Sequence, residues 1–328
     1  MNTQTQVVTE DEADIRLDRW LRRHRPGMQQ SLIQKLCRNG RIRVDGARAE
    51  PNARLAPGQS VSIPPMESPA EPKPVSRVDP NDAKDLQRAV IYQDDQVLVL
   101  NKPYGLPVQG GPGITRHLDG MLDALRFGSE HRPRLVHRLD RDTTGVLLLA
   151  RTPGVAGKLA ASFRGRDMEK IYWAVVAGRP VPVEGRIDMP LKRIGGARGE
   201  RVGPAARDDP EGARAVTDDL TLDNAAQKLA WLELKPLTGR THQLRVHCAE
   251  MGWPVMGDNI YGSAPRTGGT PLHLHSREIV VPISKNKPAV VTTAPVPAHM
   301  REMLMKCGWT GDVAQPLIPV QAINTTAL

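Results

Sequence analysis

Residues 137–152 read HRLDRDTTGVLLLART, a charged run that passes through two threonines and a glycine into four consecutive aliphatic side chains. The aliphatic end, GVLLLA from Gly145, reads as a buried strand. The charged end sets a carboxylate, Asp140, between Arg138 and Arg141 at the mouth of that strand. Ion pairing is the ordinary reason for such a carboxylate, and chemistry on a polyanion is the other. The rest of the chain decides between them.

Upstream, AVIYQDDQVLVLNKP (89–103) reads as two short strands about an Asp-Asp turn. Downstream, Thr152-Pro153 supplies an N-cap and a first-turn proline for a helix through about Arg164. KIYWAVVAG (170–178) alternates, with Ile171, Trp173 and Val175 on one face and Tyr172, Ala174 and Val176 on the other. KLAWLEL (228–234) is another strand. THQLRVHCAEMG carries Leu244, His247 or Cys248, and Met251 at helical spacing, with Gly252 as the stop. Residues 192–214, rich in Gly and Arg, read as a long mobile loop. Strands dominate and helices are interspersed irregularly, so an α+β domain is expected: a mixed, largely antiparallel sheet with flanking helices.

The chain has 328 residues and a net charge of +9, which favours an anionic partner. The charge is concentrated. Residues 14–65 hold eleven Lys and Arg against four Asp and Glu, a net +7. In that segment Leu17, Trp20 and Leu21 are spaced for a helix, and Ser31 is placed to cap a second through Leu32, Ile33, Leu36 and Cys37 that Asn39-Gly40 ends. Ile42 and Val44 precede an Asp-Gly turn, and Val61 and Ile63 follow. A small helix-helix-strand unit with an arginine-rich face fits RNA or DNA better than mere solvation of a charged face.

Residues 64–80 contain six prolines and no periodicity, an expected linker. The expected boundaries are therefore 14–65 for the basic unit, 66–87 for the linker, 88–305 for the larger domain and 306–328 for a poorly ordered tail. The N-terminal residues are acidic rather than apolar or arginine-rich, which argues against secretory or organelle targeting and for a cytoplasmic protein. No apolar run approaches a membrane span. Three scattered cysteines suggest neither a disulfide framework nor a zinc knuckle.

Phosphate-loop and dinucleotide fingerprints are absent. His242 and His247, five apart, lie about 140° apart on a helix, and His273 and His275 lack a third ligand nearby, so no metal is expected. A lone carboxylate suits a particular reaction. Glycoside hydrolysis normally needs two carboxyl groups, whereas a base that is detached and re-attached requires no activated water. That is base isomerisation. Asp140 lies at an element terminus, and TGRTHQLRVH (238–247) offers arginine for the carboxylate or for phosphates. Asp142 is expected to close the turn with Thr143 and Thr144.

HRLDRDTTGVLLLA resembles the central motif of the RluA-type pseudouridine synthases. NKPYGLPVQGG (101–111), KIYWAVVAG and KPLTGRTHQLRVH with MGWPVMGD (251–258) are similar to that family's other motifs, in the same order. The resemblance covers roughly residues 88–300, and the basic unit resembles the family's alpha-L RNA-binding module. Thr144 stands where serine is more usual, and Gln109 where histidine is common. The resemblance implies that Asp140 is the catalytic carboxylate, paired with Arg245, and that Tyr172 stacks on the extruded uracil. It also implies that Arg138 fills the gap left in the RNA stack and that Leu274 packs beneath the base. The implied reaction is cofactor-free conversion of uridine to pseudouridine by a monomer. The RluC-like branch, with several sites in large-subunit ribosomal RNA, is favoured by VQGGPG after NKPYGLP. The rivals are a tRNA-directed synthase, a glycosidase, and a non-catalytic RNA-binding or ribosome-assembly factor.

Overall fold

The computed structural model describes residues 4–25, 28, 30–65, 78–111, 113–165, 168–195, 201–265, 267–282 and 289–311. The chain divides into two compact units, Met1–Arg77 and Val78–Leu328.

In the first unit the predicted apolar spacing yields helices Leu17–His24 and Gln30–Arg38. The second begins one residue before Ser31 and gives way to Gly40 at φ 64°. Leu17, Trp20, Leu21, Ile33, Ile42, Val61 and Ile63 close one small core. The sheet runs Gln4–Val7, Ser60–Ile63, Arg43–Val44, Ala47–Arg48. Its first strand lies outside the expected 14–65 boundary, because QTQV has no apolar alternation and is held mainly by backbone pairing, with the Gln4 side chain accepting from Arg25. Arg19, Lys35 and Arg38 on the helices, and Arg41 just beyond them, are exposed. Buried Glu12 accepts from Trp20 Nε1 at 2.8 Å and meets His24 Nε2 at 2.7 Å.

The second unit is built on a ten-stranded sheet. Its main path runs Glu184–Asp188, Val216–Ala225, Leu229–Pro236, Glu169–Ala177, Leu274–Val281, Thr144–Ala150, Val97–Lys102, Val90–Gln93. Off that path, Val290–Thr293 pairs with Leu274–Val281, and Arg134–Leu135 with Thr144–Ala150. The neighbours are antiparallel except Leu274–Val281 against Thr144–Ala150, which run parallel. The α+β, largely antiparallel expectation therefore holds.

GVLLLA is the buried centre. Leu147 and Leu149 pack on one side with Leu98, Leu118 and Leu122, while Val146 and Leu148 pack on the other with Val97, Val99 and Leu159. The glycine that precedes it is required by the parallel seam: Gly145 has φ +100°, and a Cβ there would lie 2.1 Å from the Ser276 carbonyl oxygen. Thr144 Oγ1 bonds His275 Nδ1 across the same seam at 2.8 Å.

Several expectations change. Residues 80–88, partly assigned to the linker, form the helix Pro80–Arg88: Asp79 accepts from Asn81 N at 2.8 Å, proline occupies the first turn, and Leu86 is buried. Residues 66–77 lie outside the described residues. Within 192–214, strands Leu191–Ile194 and Arg201–Pro204 pair antiparallel, so the expected loop is a hairpin whose residues 196–200 are not described. Met251 is exposed rather than core-facing, since it sits at the helix end where Gly252 turns the chain at φ 85°. The expected tail contributes to the core: Cys307 is buried, and Trp309 packs on the cluster of Val175, Met300 and Leu304. Residues 312–328 lie outside the described residues. No helix among the described residues is long and apolar enough to cross a membrane.

Candidate active site

Asp140 stands in the turn between strands Arg134–Leu135 and Thr144–Ala150, and the turn is gripped from both flanks. On one flank His137 Nε2 accepts the Leu148 N–H at 2.8 Å while its ring stacks on Phe163 at 4.7 Å. Burial, aided by the charge of Lys170, pushes this imidazole down to about 3, so it is a neutral acceptor. On the other flank the fully buried Lys102 donates to the carbonyls of Pro103, Leu106 and Arg141, each at 2.9 Å. Burial lowers its ammonium to about 7 against the opposing pull of Asp142 and Asp140. Three acceptors match the three donors of an ammonium. Asp142 does not bond the neighbouring threonines as expected. Its carboxylate takes the fork of Arg141 at 2.9 and 3.0 Å, and the Thr144 hydroxyl goes to His275.

Asp140 faces a cleft of about 880 Å³ that also receives Arg138, Tyr172, Arg245 and Leu274, so all five sequence-named residues meet. Arg138 is exposed on the same turn. Tyr172 comes from strand Glu169–Ala177 and packs against two apolar clusters. Burial, with Asp140 adding to it, raises its phenol to about 12 against a bond to Ser276, so it stays protonated. Leu274, almost fully buried, opens the strand beside it. Lys170, Lys235 and Arg240 add positive charge to the walls. The acidic wall residues Glu169 and Asp218 are tied to Lys235 and Arg186. Such a cleft suits a phosphate chain.

Arg245 departs from the expected pairing with Asp140. Its Nε and Nη2 fork onto Asp258, both at 2.7 Å, and the pair is almost fully buried. Asp258 also accepts the N–H groups of Ile260 and Tyr261 at 2.9 and 3.0 Å. Burial works against the Asp258 carboxylate, but these bonds and the guanidinium outweigh it and hold it below the ordinary range. Asp140 is close enough for its charge to add to that of Asp258 in stabilising the guanidinium. Among the described residues Asp140 faces His242, whose Nε2 lies 3.9 Å from Oδ2.

The sequence raises His242 only as a metal ligand, with His247, and the spacing sets that reading aside. His247 is structural, bonded to Thr217 Oγ1 at 2.9 Å and to the Met189 carbonyl at 3.2 Å. His242 is a wall of the cleft. The five-residue spacing speaks to metal geometry and carries no signal for contact with a residue about one hundred positions earlier. His273 and His275 bond the Pro271 carbonyl and Thr144.

Residues 96–250 match the RNA pseudouridylate synthase family, and residues 15–61 match the S4 domain. A Synechocystis protein named an uncharacterized RNA pseudouridine synthase is 33% identical over 314 residues, covering 91% of this chain and 90% of that one. The Vibrio cholerae ribosomal large subunit pseudouridine synthase C is 33% identical over 93% of this chain and 98% of its own. Among solved structures, human RNA pseudouridylate synthase domain containing 4 superposes with a TM-score of 0.58 at 30% identity, covering 68% of this chain and 94% of that chain. With relatives of this similarity along nearly its whole length, the chain belongs to the RluA-type family of RNA pseudouridine synthases and carries an N-terminal S4 RNA-binding domain.

Proposed function

We propose that this synthase modifies several uridines of large-subunit ribosomal RNA in the cytoplasm, with Asp140 as its catalytic carboxylate and no cofactor. The observation that carries the assignment is the placing of Asp140 on a braced turn, inside a cation-lined cleft with a neutral aromatic wall. The reaction conserves atoms and electrons: the bond from ribose C1′ to uracil N1 breaks, a bond from C1′ to C5 forms, and a proton leaves C5 while N1 gains one. Neither an oxidant nor a water molecule is consumed. One carboxylate that starts glycosidic cleavage therefore suffices.

Tyr172 stacks on the flipped uracil, and Leu274 packs beneath it. Arg138, exposed on the turn that carries Asp140, enters the space the base vacates in the RNA stack. Arg245, aimed by Asp258, sets a positive charge beside the carboxylate. Relatives named ribosomal large subunit pseudouridine synthase C that align along 93% of this chain support the RNA target. The S4 domain supplies a second hold on the same RNA and raises the local concentration of nearby uridines.

Asp140→Asn removes the charge and little volume, so conversion is expected to vanish while RNA affinity and melting temperature stay close to wild type. Appreciable turnover in that variant would overturn the assignment of Asp140. Pseudouridine maps with and without the gene test the target. Loss at several positions of large-subunit RNA is expected, and a map altered only in tRNA would refute the target while leaving the enzyme class standing.

A further inference from the structure

We propose that His242 is a positioning residue for the reaction: a neutral imidazole whose tautomer is set by the Tyr261 hydroxyl and whose Nε2–H steadies Asp140. The inference rests on the reading of Asp140 as the catalytic carboxylate. His242 Nδ1 lies 2.9 Å from Tyr261 Oη, and Tyr261 Oη accepts the Val202 N–H at 3.1 Å. With that lone pair occupied, the phenol directs its own proton to Nδ1, which leaves the imidazole proton on Nε2. Nε2 is the atom that faces Asp140 Oδ2 at 3.9 Å. The opposite tautomer would turn a nitrogen lone pair toward a carboxylate. Both ends of the ring therefore select the same form.

Tyr261 is itself immobilised. Its N–H goes to Asp258, and its ring lies 5.3 Å from the Arg245 guanidinium carbon. The charged groups that face His242 are Asp140, Arg245, Asp258 and Arg138. Burial lowers its affinity for a proton first, the two arginines add to that, and the two carboxylates oppose it, so the ring is neutral near pH 7.

His242 precedes the helix Gln243–Glu250 at φ 54° and ψ 16°, a left-handed conformation that fixes the direction in which its side chain leaves the backbone. Histidine is one of the few side chains that enter this region readily, and here the conformation places its ring in the cleft. At 3.9 Å the contact is longer than a hydrogen bond, as such contacts often are before substrate closes the site.

The test uses the full chain and RNA labelled with tritium at uracil C5, extracted from a strain lacking the gene, so that each turnover releases tritium to water. Single-turnover rates and half-saturating concentrations are measured for His242→Gly, His242→Asn, Tyr261→Phe, the His242→Gly/Tyr261→Phe double variant and Asp140→Asn. His242→Gly is expected to fold and to melt within a few degrees of wild type, because the ease of glycine at φ 54° offsets part of the lost contacts with Tyr261. Its maximal rate should nevertheless fall about 10- to 100-fold, with half-saturation changed less than about twofold, the effect of losing one hydrogen bond to a charged group.

His242→Asn, which tolerates the left-handed backbone and can donate from its amide, should recover part of the rate. Tyr261→Phe should lose less than His242→Gly, and the double variant no more than His242→Gly alone, because the two residues act in series. A wild-type rate in His242→Gly, or losses that multiply in the double variant, would overturn the proposal. An inactive Asp140→Asn beside a fully active His242→Gly would reject only the role of His242. Turnover by Asp140→Asn would reject the carboxylate reading itself.

Discussion

Replacing Asp258 by Asn isolates the charge that aims Arg245. The two bonds from Arg245 are 2.7 Å long, and neither side chain is more than 4% exposed. Losing one partner of such a buried pair costs about 3–5 kcal/mol, because the other charge remains desolvated and unpaired. The asparagine oxygen can still accept the Ile260 and Tyr261 N–H groups, whereas its amide N–H₂ would oppose the guanidinium. The loss therefore falls near the lower end, about 3 kcal/mol. Arg245→Met should cost at least as much, since it strands a carboxylate. In the double variant no charge is stranded, and roughly 2 kcal/mol should return.

The two units need not unfold together, so the readout is amide hydrogen exchange in peptides spanning 243–262, where 3 kcal/mol is about a 100-fold loss of protection. Catalytic rate should fall in all three variants and should not return in the double. Acid gives the same sign reversibly. Asp258 has a folded pKa below its unfolded value, so its contribution is complete above the unfolded value of about 3.9 and is lost as pH falls toward the lowered one. Protection in Asp258→Asn within about threefold of wild type, or a double variant weaker than either single, would refute the coupling.

In the S4 unit, burial raises Glu12, but bonds from His24, Trp20 and Thr9 prevail and hold it down to about 2. Its full shift is worth about 3 kcal/mol, reduced by screening in so small a unit to about 1–2. Glu12→Gln should lower the unit's stability at pH 7 by that amount and remove the wild-type decline from about pH 4.5 down toward 2, followed by Trp20 fluorescence; an unchanged acid transition would contradict it. Gly145→Ala should abolish soluble folding or lower the melting temperature by about 10 °C or more, since its Cβ would meet Ser276 O at 2.1 Å; a normally melting variant would show that the seam yields. Replacing exposed Arg19, Lys35, Arg38 and Arg41 by Ala should make the slope of log affinity against log salt shallower by about one for each phosphate no longer neutralised; an equal slope would remove this face from the RNA interface.

Much of the fold is legible in the sequence because it rests on local pattern. The alternation in KIYWAVVAG does separate Tyr172, Ala174 and Val176 from Trp173 and Val175, which enter different clusters. The strand Gln4–Val7 is hidden because backbone pairing holds it without apolar alternation, and the hairpin within 191–204 because only Leu191 and Val202 anchor it, in a cluster with Ala215 and Val246 that are distant in sequence. Asp79-Pro80 carries a capping signal, but the preceding prolines mask it. In the site, the five named residues converge as the motif resemblance implies, whereas the identity of each ion-pair partner does not follow. Such pairing depends on side chains brought together from distant turns, as when Arg245 takes Asp258 across 13 positions and Asp140 meets His242 across the fold.

The electrostatics of the cleft explain why a carboxylate stands between two arginines. Ion pairing is the right account of Asp142, whose neighbour Arg141 is folded onto it. It is also right for Asp258, Asp218 and Glu169, held by Arg245, Arg186 and Lys235. Asp140 is treated differently. Its turn is tied by the buried Lys102 and His137, which fix the backbone without covering the carboxylate, and its neighbour His242 is a largely neutral imidazole 3.9 Å away. A structural carboxylate is stabilised by saturating its oxygens, as Asp258 shows. The catalytic role proposed for Asp140 calls for the reverse, and the turn provides it: a rigid mount, positive charge nearby, and oxygens left facing the cleft.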